Sequence, residues 1–118
     1  MQAKIIREKI SKEELSKLLG ENHKTMLKVD VDIKRGIISA GGEWHSEGQE
    51  LLVKDGSSGA DVWGCNFYPQ NPAEIRIQYN SHINIKPALR YKSLSIEDEE
   101  LKKRMRDIIE KLVLVDSE

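Results

Sequence analysis

The sequence predicts an α+β fold, a two-layer sandwich in which a mainly antiparallel sheet carries three helices on one face. Three observations predict it. Residues 27–33 alternate strictly, with Leu27, Val29, Val31 and Ile33 on one side and Lys28, Asp30 and Asp32 on the other. Only a strand with one buried and one polar face reads this way. Lys34-Arg35-Gly36 then turns the chain back into 37–41, and hairpins build antiparallel sheets. Finally, Leu101, Met105, Ile108, Ile109 and Leu112 form one helical stripe behind the acidic run Glu97-Asp98-Glu99-Glu100, whose charge suits a helix N-terminus.

The elements follow in order. Residues 4–8 read as a first strand. Ser11 as N-cap with Glu14 three residues on makes a capping box, and Ile10 and Leu15 the hydrophobic staple around it. Leu15, Leu18 and Leu19 turn inward, and Gly20 stops the helix. After the hairpin and Gly41-Gly42, a short second helix is predicted with Ser46 as N-cap and Gln49 at N3, ending at Asp55-Gly56. Gly56-Ser57-Ser58-Gly59 is a turn, since no Gly-Lys-Ser/Thr follows to make it a phosphate loop. Residues 62–68 form a strand with Trp63, Cys65 and Phe67 on one face. Beyond Pro69 and Pro72, residues 74–79 are expected to bury Ile75, Ile77 and Tyr79. After a bend at Asn80-Ser81, Ile83 and Ile85 are expected to face in and His82, Asn84 and Lys86 out, until Pro87 ends the strand. Ser95 is the expected cap of the last helix. The expected core is Leu27, Val29, Val31, Trp63, Phe67, Ile75, Ile77, Ile108 and Leu112, and the uncovered sheet face would be polar.

The chain of 118 residues reads as one α+β domain over 1–118. Its 19 basic and 20 acidic residues give a net charge of −1, which argues against a polybasic membrane binder or a histone-like DNA protein. A single cysteine, Cys65, excludes an intrachain disulfide and gives no reason to expect an oxidising compartment. The charged start, MQAKIIREKISKEEL, is not expected to be a signal peptide, and no apolar run approaches the ~20 residues of a spanning helix. A cytoplasmic location is the expectation, without a membrane.

Two segments carry a resemblance. Asp61-Val62-Trp63-Gly64-Cys65-Asn66-Phe67-Tyr68-Pro69 and Asn80-Ser81-His82-Ile83-Asn84-Ile85-Lys86-Pro87 look like those of a family of small uncharacterised prokaryotic proteins, catalogued as a domain of unknown function. Gly41-Gly42-Glu43-Trp44-His45 fits the same pattern. The resemblance spans nearly the whole chain, implies a single-domain prokaryotic protein and transfers no catalytic residue. Lys86 stands where such sequences would be expected to carry arginine, so a strict need for a bidentate guanidinium there does not follow.

Three groups of residues carry chemistry. Asp30 and Asp32 share a strand face ~7 Å apart, and with Glu43 and His45 they could hold a hard metal or activate water. No HExxH, HxH or cysteine-rich spacing supports that, so no metal or other cofactor is expected and the aspartates are read as solvated or paired. Residues 75–96 contain no Asp or Glu but carry Arg76, Lys86, Arg90 and Lys92 among amides and tyrosines, a composition suited to a weak anion site. Cys65, flanked on its face by Trp63 and Phe67, reads as a buried inert thiol. The reading is therefore a non-catalytic binding or interaction module using the polar sheet face. Its candidate ligand-binding residues are His45, Asn66, Tyr68, Asn84, Lys86 and Arg90. A homodimer and a small anionic ligand are the expected partners, with nucleic acid disfavoured. The alternative is a small enzyme of hydrolase or transferase type acting on a small or phosphorylated substrate.

Overall fold

The computed structural model describes residues 1–113. Strands β1 (Ala3–Ile6), β2 (Leu27–Asp32), β3 (Ile37–Gly41), β4 (Val62–Phe67) and β5 (Ile77–Gln78) form one antiparallel sheet in the order β1-β3-β2-β4-β5. Helices α1 (Lys12–Gly20), α2 (His45–Lys54) and α3 (Glu99–Val113) complete the α+β fold. The predicted capping box starts α1: Ser11 Oγ accepts from the Glu14 amide at 3.0 Å, and Glu14 Oε1 accepts from the Ser11 amide at 3.2 Å.

The strand alternation sorts the molecule into two cores. Leu27, Val29 and Val31 of β2, Ile38 and Ala40 of β3, and Cys65 and Phe67 of β4 meet Leu15, Leu18 and Leu19 of α1 and Met105, Ile108, Ile109 and Leu112 of α3. Each fully buried side chain of this size stabilises the fold by ~1.5–3 kcal/mol. On the other sheet face, Ile37, Val62 and Leu52 form a smaller core beneath α2.

This arrangement corrects the placement of helices on one face. Only α1 and α3 share a face, and α2 covers the side expected to be open, so Asp30, Asp32 and Ser39 are buried rather than solvated. The sequence carries the physical reason at Gly48. A Cβ there would lie 2.2 Å from Ser39 Oγ and 2.4 Å from Asp30 Oδ2, so only glycine lets α2 lie down on polar β2 and β3. Asp32 spends its Oδ1 on the turn, accepting from the Lys34 amide at 2.9 Å and the Arg35 amide at 3.0 Å.

Two helix starts also differ from expectation. Helix α2 begins at His45, with Trp44 rather than Ser46 at the N-cap. Glu47, at N3, reaches back so that its Oε1 accepts from the amides of Glu43 (2.7 Å) and Trp44 (2.8 Å), the return half of a capping box. Asp98 rather than Ser95 caps α3, its Oδ1 accepting from the amides of Glu100 and Leu101.

The chain between Pro72 and Pro87 departs most from the expected strands. Residues Ala73–Ile75 and His82–Asn84 form single 3-10 turns, and only Ile77–Gln78 pairs as strand. Ile75 is consequently exposed and outside the core. A 3-10 turn advances about 120° per residue, not 180°, so the two-residue alternation fails there. Around His82–Asn84 its sense inverts: Asn84 is 0% exposed and Lys86 9%, whereas Ile85 is 40% exposed.

Asp55 links the end of α2 to two guanidiniums, Arg7 and Arg35. These hydrogen bonds, Arg7 first, hold its carboxyl well below the usual range, at about 2. A lowered carboxyl stabilises the fold above its unfolded value and loses that contribution as pH falls through about 2. Asp55→Asn is expected to flatten the fall in melting temperature between roughly pH 4 and 2, and an unchanged profile would contradict the pairing.

Candidate functional site

The polar pair buried under α2 opens into a cleft. Asp30 sits mid-strand in β2, opposite Gly64 of β4. His45, the first residue of α2, brings its ring over Gly64 and places Nδ1 2.7 Å from Asp30 Oδ1. A Cβ on Gly64 would lie 3.0 Å from that Nδ1 and 2.7 Å from Ser81 Cβ, so glycine makes the space in which the histidine and the 81–84 turn meet the sheet. Ser39 Oγ donates to the other carboxylate oxygen at 3.5 Å. Burial raises the Asp30 carboxyl above the usual range, and the hydrogen bonds from His45 and Ser39 oppose that rise only in part.

The second ring nitrogen, Nε2, lies 3.1 Å from Asn66 Oδ1. With Asp30 ionised, Nδ1 donates to it. Asn66 then matches either charge state of the ring, through Oδ1 for an imidazolium and through its amide turned by 180° for the neutral ring. The result is a chain of three side chains, Asp30–His45–Asn66, running from the buried sheet to the surface.

Asn84 supports this chain from below. Its Oδ1 accepts from the Gly64 amide at 2.8 Å, while its Nδ2 donates to the carbonyls of Gly64 (3.0 Å) and Leu94 (3.1 Å). The carboxamide thus takes the place of a strand neighbour where β5 has ended, closing the exposed edge of β4 beside the site. It is a positioning residue and does not line the cleft.

The cleft has a volume of about 470 Å³. Its floor is His45 and Asn66, with Lys28 beside Asn66 on the paired strand. The α2 start contributes Trp44 and Ser46, the 80–83 segment contributes Ser81, His82 and Ile83, and Leu94 completes the apolar lining. Trp44 is 62% exposed, an unusual position for an indole unless something covers it.

The other residues singled out in the sequence lie elsewhere. Lys86 turns inward, its ammonium donating to the carbonyls of Gly59 (2.9 Å) and Ile83 (3.0 Å) and lying 4.8 Å from the centre of the Trp63 ring. Burial lowers its pKa from the ordinary lysine value, and Asp30 and Asp61 oppose that shift. The ammonium is therefore spent on structure, which corrects the expectation that Lys86 faces out beside His82 and Asn84. Arg90 is exposed in a left-handed turn at φ 62°. Tyr68 follows β4, its amide closing a turn with the Arg76 carbonyl at 2.7 Å. Neither lines the cleft. Cys65 is buried, and desolvation together with the Asp30 charge pushes its thiol far up, which makes it inert. Among the described residues no three His, Cys, Asp or Glu side chains gather as a metal site, because Asp32 serves its turn and Glu43 points to solvent.

The sequence paired Asp30 and His45 only as part of a weighed metal site. It put Lys28 and His82 among outward polar residues without naming them as ligand-binding, and read Ser81 only as part of a bend. No helix is long and apolar enough to cross a membrane among the described residues. No curated protein and no solved structure matches the chain. A family model does match, over residues 4–112, which takes in the chain from β1 to the last turn of α3 and with it every group of the cleft. The chain belongs to that family, described as Protein of unknown function (DUF5674).

Proposed function

We propose that the protein is a small-molecule-binding module whose ligand occupies the cleft between the start of α2 and the 80–83 turn. The observation that carries this reading is the cleft itself. It is concave, within the ~300–1,000 Å³ of small-ligand sites, and it combines apolar walls with a few convergent polar groups. Trp44, Ile83 and Leu94 supply the walls, and His45 and Asn66 the floor. An interaction surface on the sheet is disfavoured, because α2 already covers that face.

A second reading, a small enzyme acting on the same ligand, is favoured by the buried carboxylate behind His45. Asp30 holds the ring in place through Nδ1 and leaves Nε2 facing the cleft side, which is the orientation a general acid or base needs. In that case Asn66 yields Nε2 to the substrate on binding.

Thermal-shift screening of a metabolite panel tests the first reading. A ligand present at 100 times its Kd raises stability by about 2.7 kcal/mol. Its stabilisation should weaken or vanish in Asn66→Leu, which keeps the branched shape and takes the polar group out of the floor. A ligand that stabilises both proteins equally would place the site elsewhere. Turnover of a bound compound by wild type but not His45→Gln would favour the enzyme.

A further inference from the structure

Resting on the cleft being the ligand site, we propose that its occupant is a small organic anion, a carboxylate or phosphate head joined to a planar apolar body. Charge is the first argument. Acids slightly outnumber bases in the chain, 20 to 19, yet no carboxylate lines the cleft. Asp30, behind His45, is buried and engaged by His45 and Ser39. Glu47, on the first turn of α2, has its Oε1 committed to the amides of Glu43 and Trp44. Lys28 meanwhile enters no ion pair among the described residues, so its charge is not neutralised by the protein.

Unspent donors are the second argument. Ser81 is 7% exposed and lines the cleft. Its Oγ accepts from the Ile83 amide at 3.3 Å, and its own proton has no acceptor among the described residues. Trp44 at the N-cap offers no oxygen to the first turn of the ten-residue α2, so the amides of His45 and Ser46 also lack a side-chain acceptor. All of these groups call for an acceptor, which an anionic head supplies and a cationic or donor-rich head does not.

Size and wall chemistry supply the body. A bare inorganic anion would leave most of about 470 Å³ unfilled and would not touch Trp44, Ile83 and Leu94 together. A ring stacked on the exposed Trp44 indole covers apolar surface that water now wets.

The test is a titration with five matched probes: phenyl phosphate, benzoate, benzyl alcohol, benzylamine and inorganic phosphate. Binding is read from Trp44 emission, with Trp44→Phe identifying the Trp63 background. Phenyl phosphate and benzoate should bind at least about tenfold more tightly than the other three, and more weakly as salt screens the contact. The better of the two identifies the head. Lys28→Met should reduce that preference severalfold without moving the melting temperature. Should Lys28→Met unfold, Ser81→Ala, which removes the unspent hydroxyl proton, should weaken both anions instead.

Benzyl alcohol or benzylamine binding as tightly as benzoate would overturn the anionic head while leaving the cleft as a ligand site. Inorganic phosphate matching phenyl phosphate would overturn the apolar body. Anion preference that survives both substitutions would overturn the assigned donors. Probes that all fail to bind, neutral ones included, would count against the cleft reading as well.

Discussion

Phe67→Ala is expected to lower the stability of the domain by roughly 3–5 kcal/mol. Phe67 is fully buried at the end of β4, opposite Leu27 of β2 and Ile77 of β5. It belongs to the core shared by the sheet with α1 and α3. Removing the ring loses its transfer free energy and leaves a cavity that flanking strands, held in register on both sides, cannot collapse into. Urea denaturation of both proteins gives the difference. A midpoint within error of wild type would contradict the placement of this core.

Removing the histidine should cost as much, with a pH dependence that identifies the cause. In His45→Ala the Asp30 carboxyl stays beneath α2, without the ring that donates to it. Breaking a buried pair from one side costs roughly 3–5 kcal/mol at neutral pH. The sign follows from linkage. Burial already raises the Asp30 carboxyl, and losing His45 raises it further. A carboxyl raised in the folded state is best tolerated below its unfolded value of about 3.9, and stability falls as pH climbs through the folded value. The deficit of His45→Ala should therefore be small near pH 4–5 and large near pH 8. His45→Ala, Asp30→Asn should recover part of the loss at pH 8. A deficit independent of pH would show that the ring acts by packing alone.

The fold was legible wherever one strand face met an apolar layer and the other a polar one. The alternation of residues 27–33 and the stripe of α3 were sufficient for class, sheet type and most of the larger core. Polar alternation does not mean solvation at Asp30 and Asp32, because a second layer can be built over polar positions when a glycine such as Gly48 admits it. The alternation also misled at Asn84 and Lys86. Both lie in or just after a 3-10 turn, where every third residue shares a direction, and both found backbone carbonyls to satisfy them in the interior. His45 and Asn66 lie 21 residues apart in sequence and meet at 3.1 Å only because β4 pairs with β2 and α2 folds back over them. No local pattern encodes that meeting. Lys28 was legible as a polar-face residue of 27–33, but its place opposite Asn66 depends on the β2–β4 pairing, which no local pattern carries.

Amide chemical-shift mapping is the most direct test of the Asp30–His45–Asn66 cleft as the ligand site. Uniformly 15N-labelled protein is titrated with phenyl phosphate, and the shifts of every assigned amide are followed to saturation. Changes should concentrate at Lys28, Ser46, Asn66, Ser81 and His82, together with the Trp44 indole N–H, and leave α1 and α3 unmoved. Saturable changes centred instead on Arg90 and Lys92, with the cleft amides unmoved, would contradict the account and return the anion site to the exposed loop.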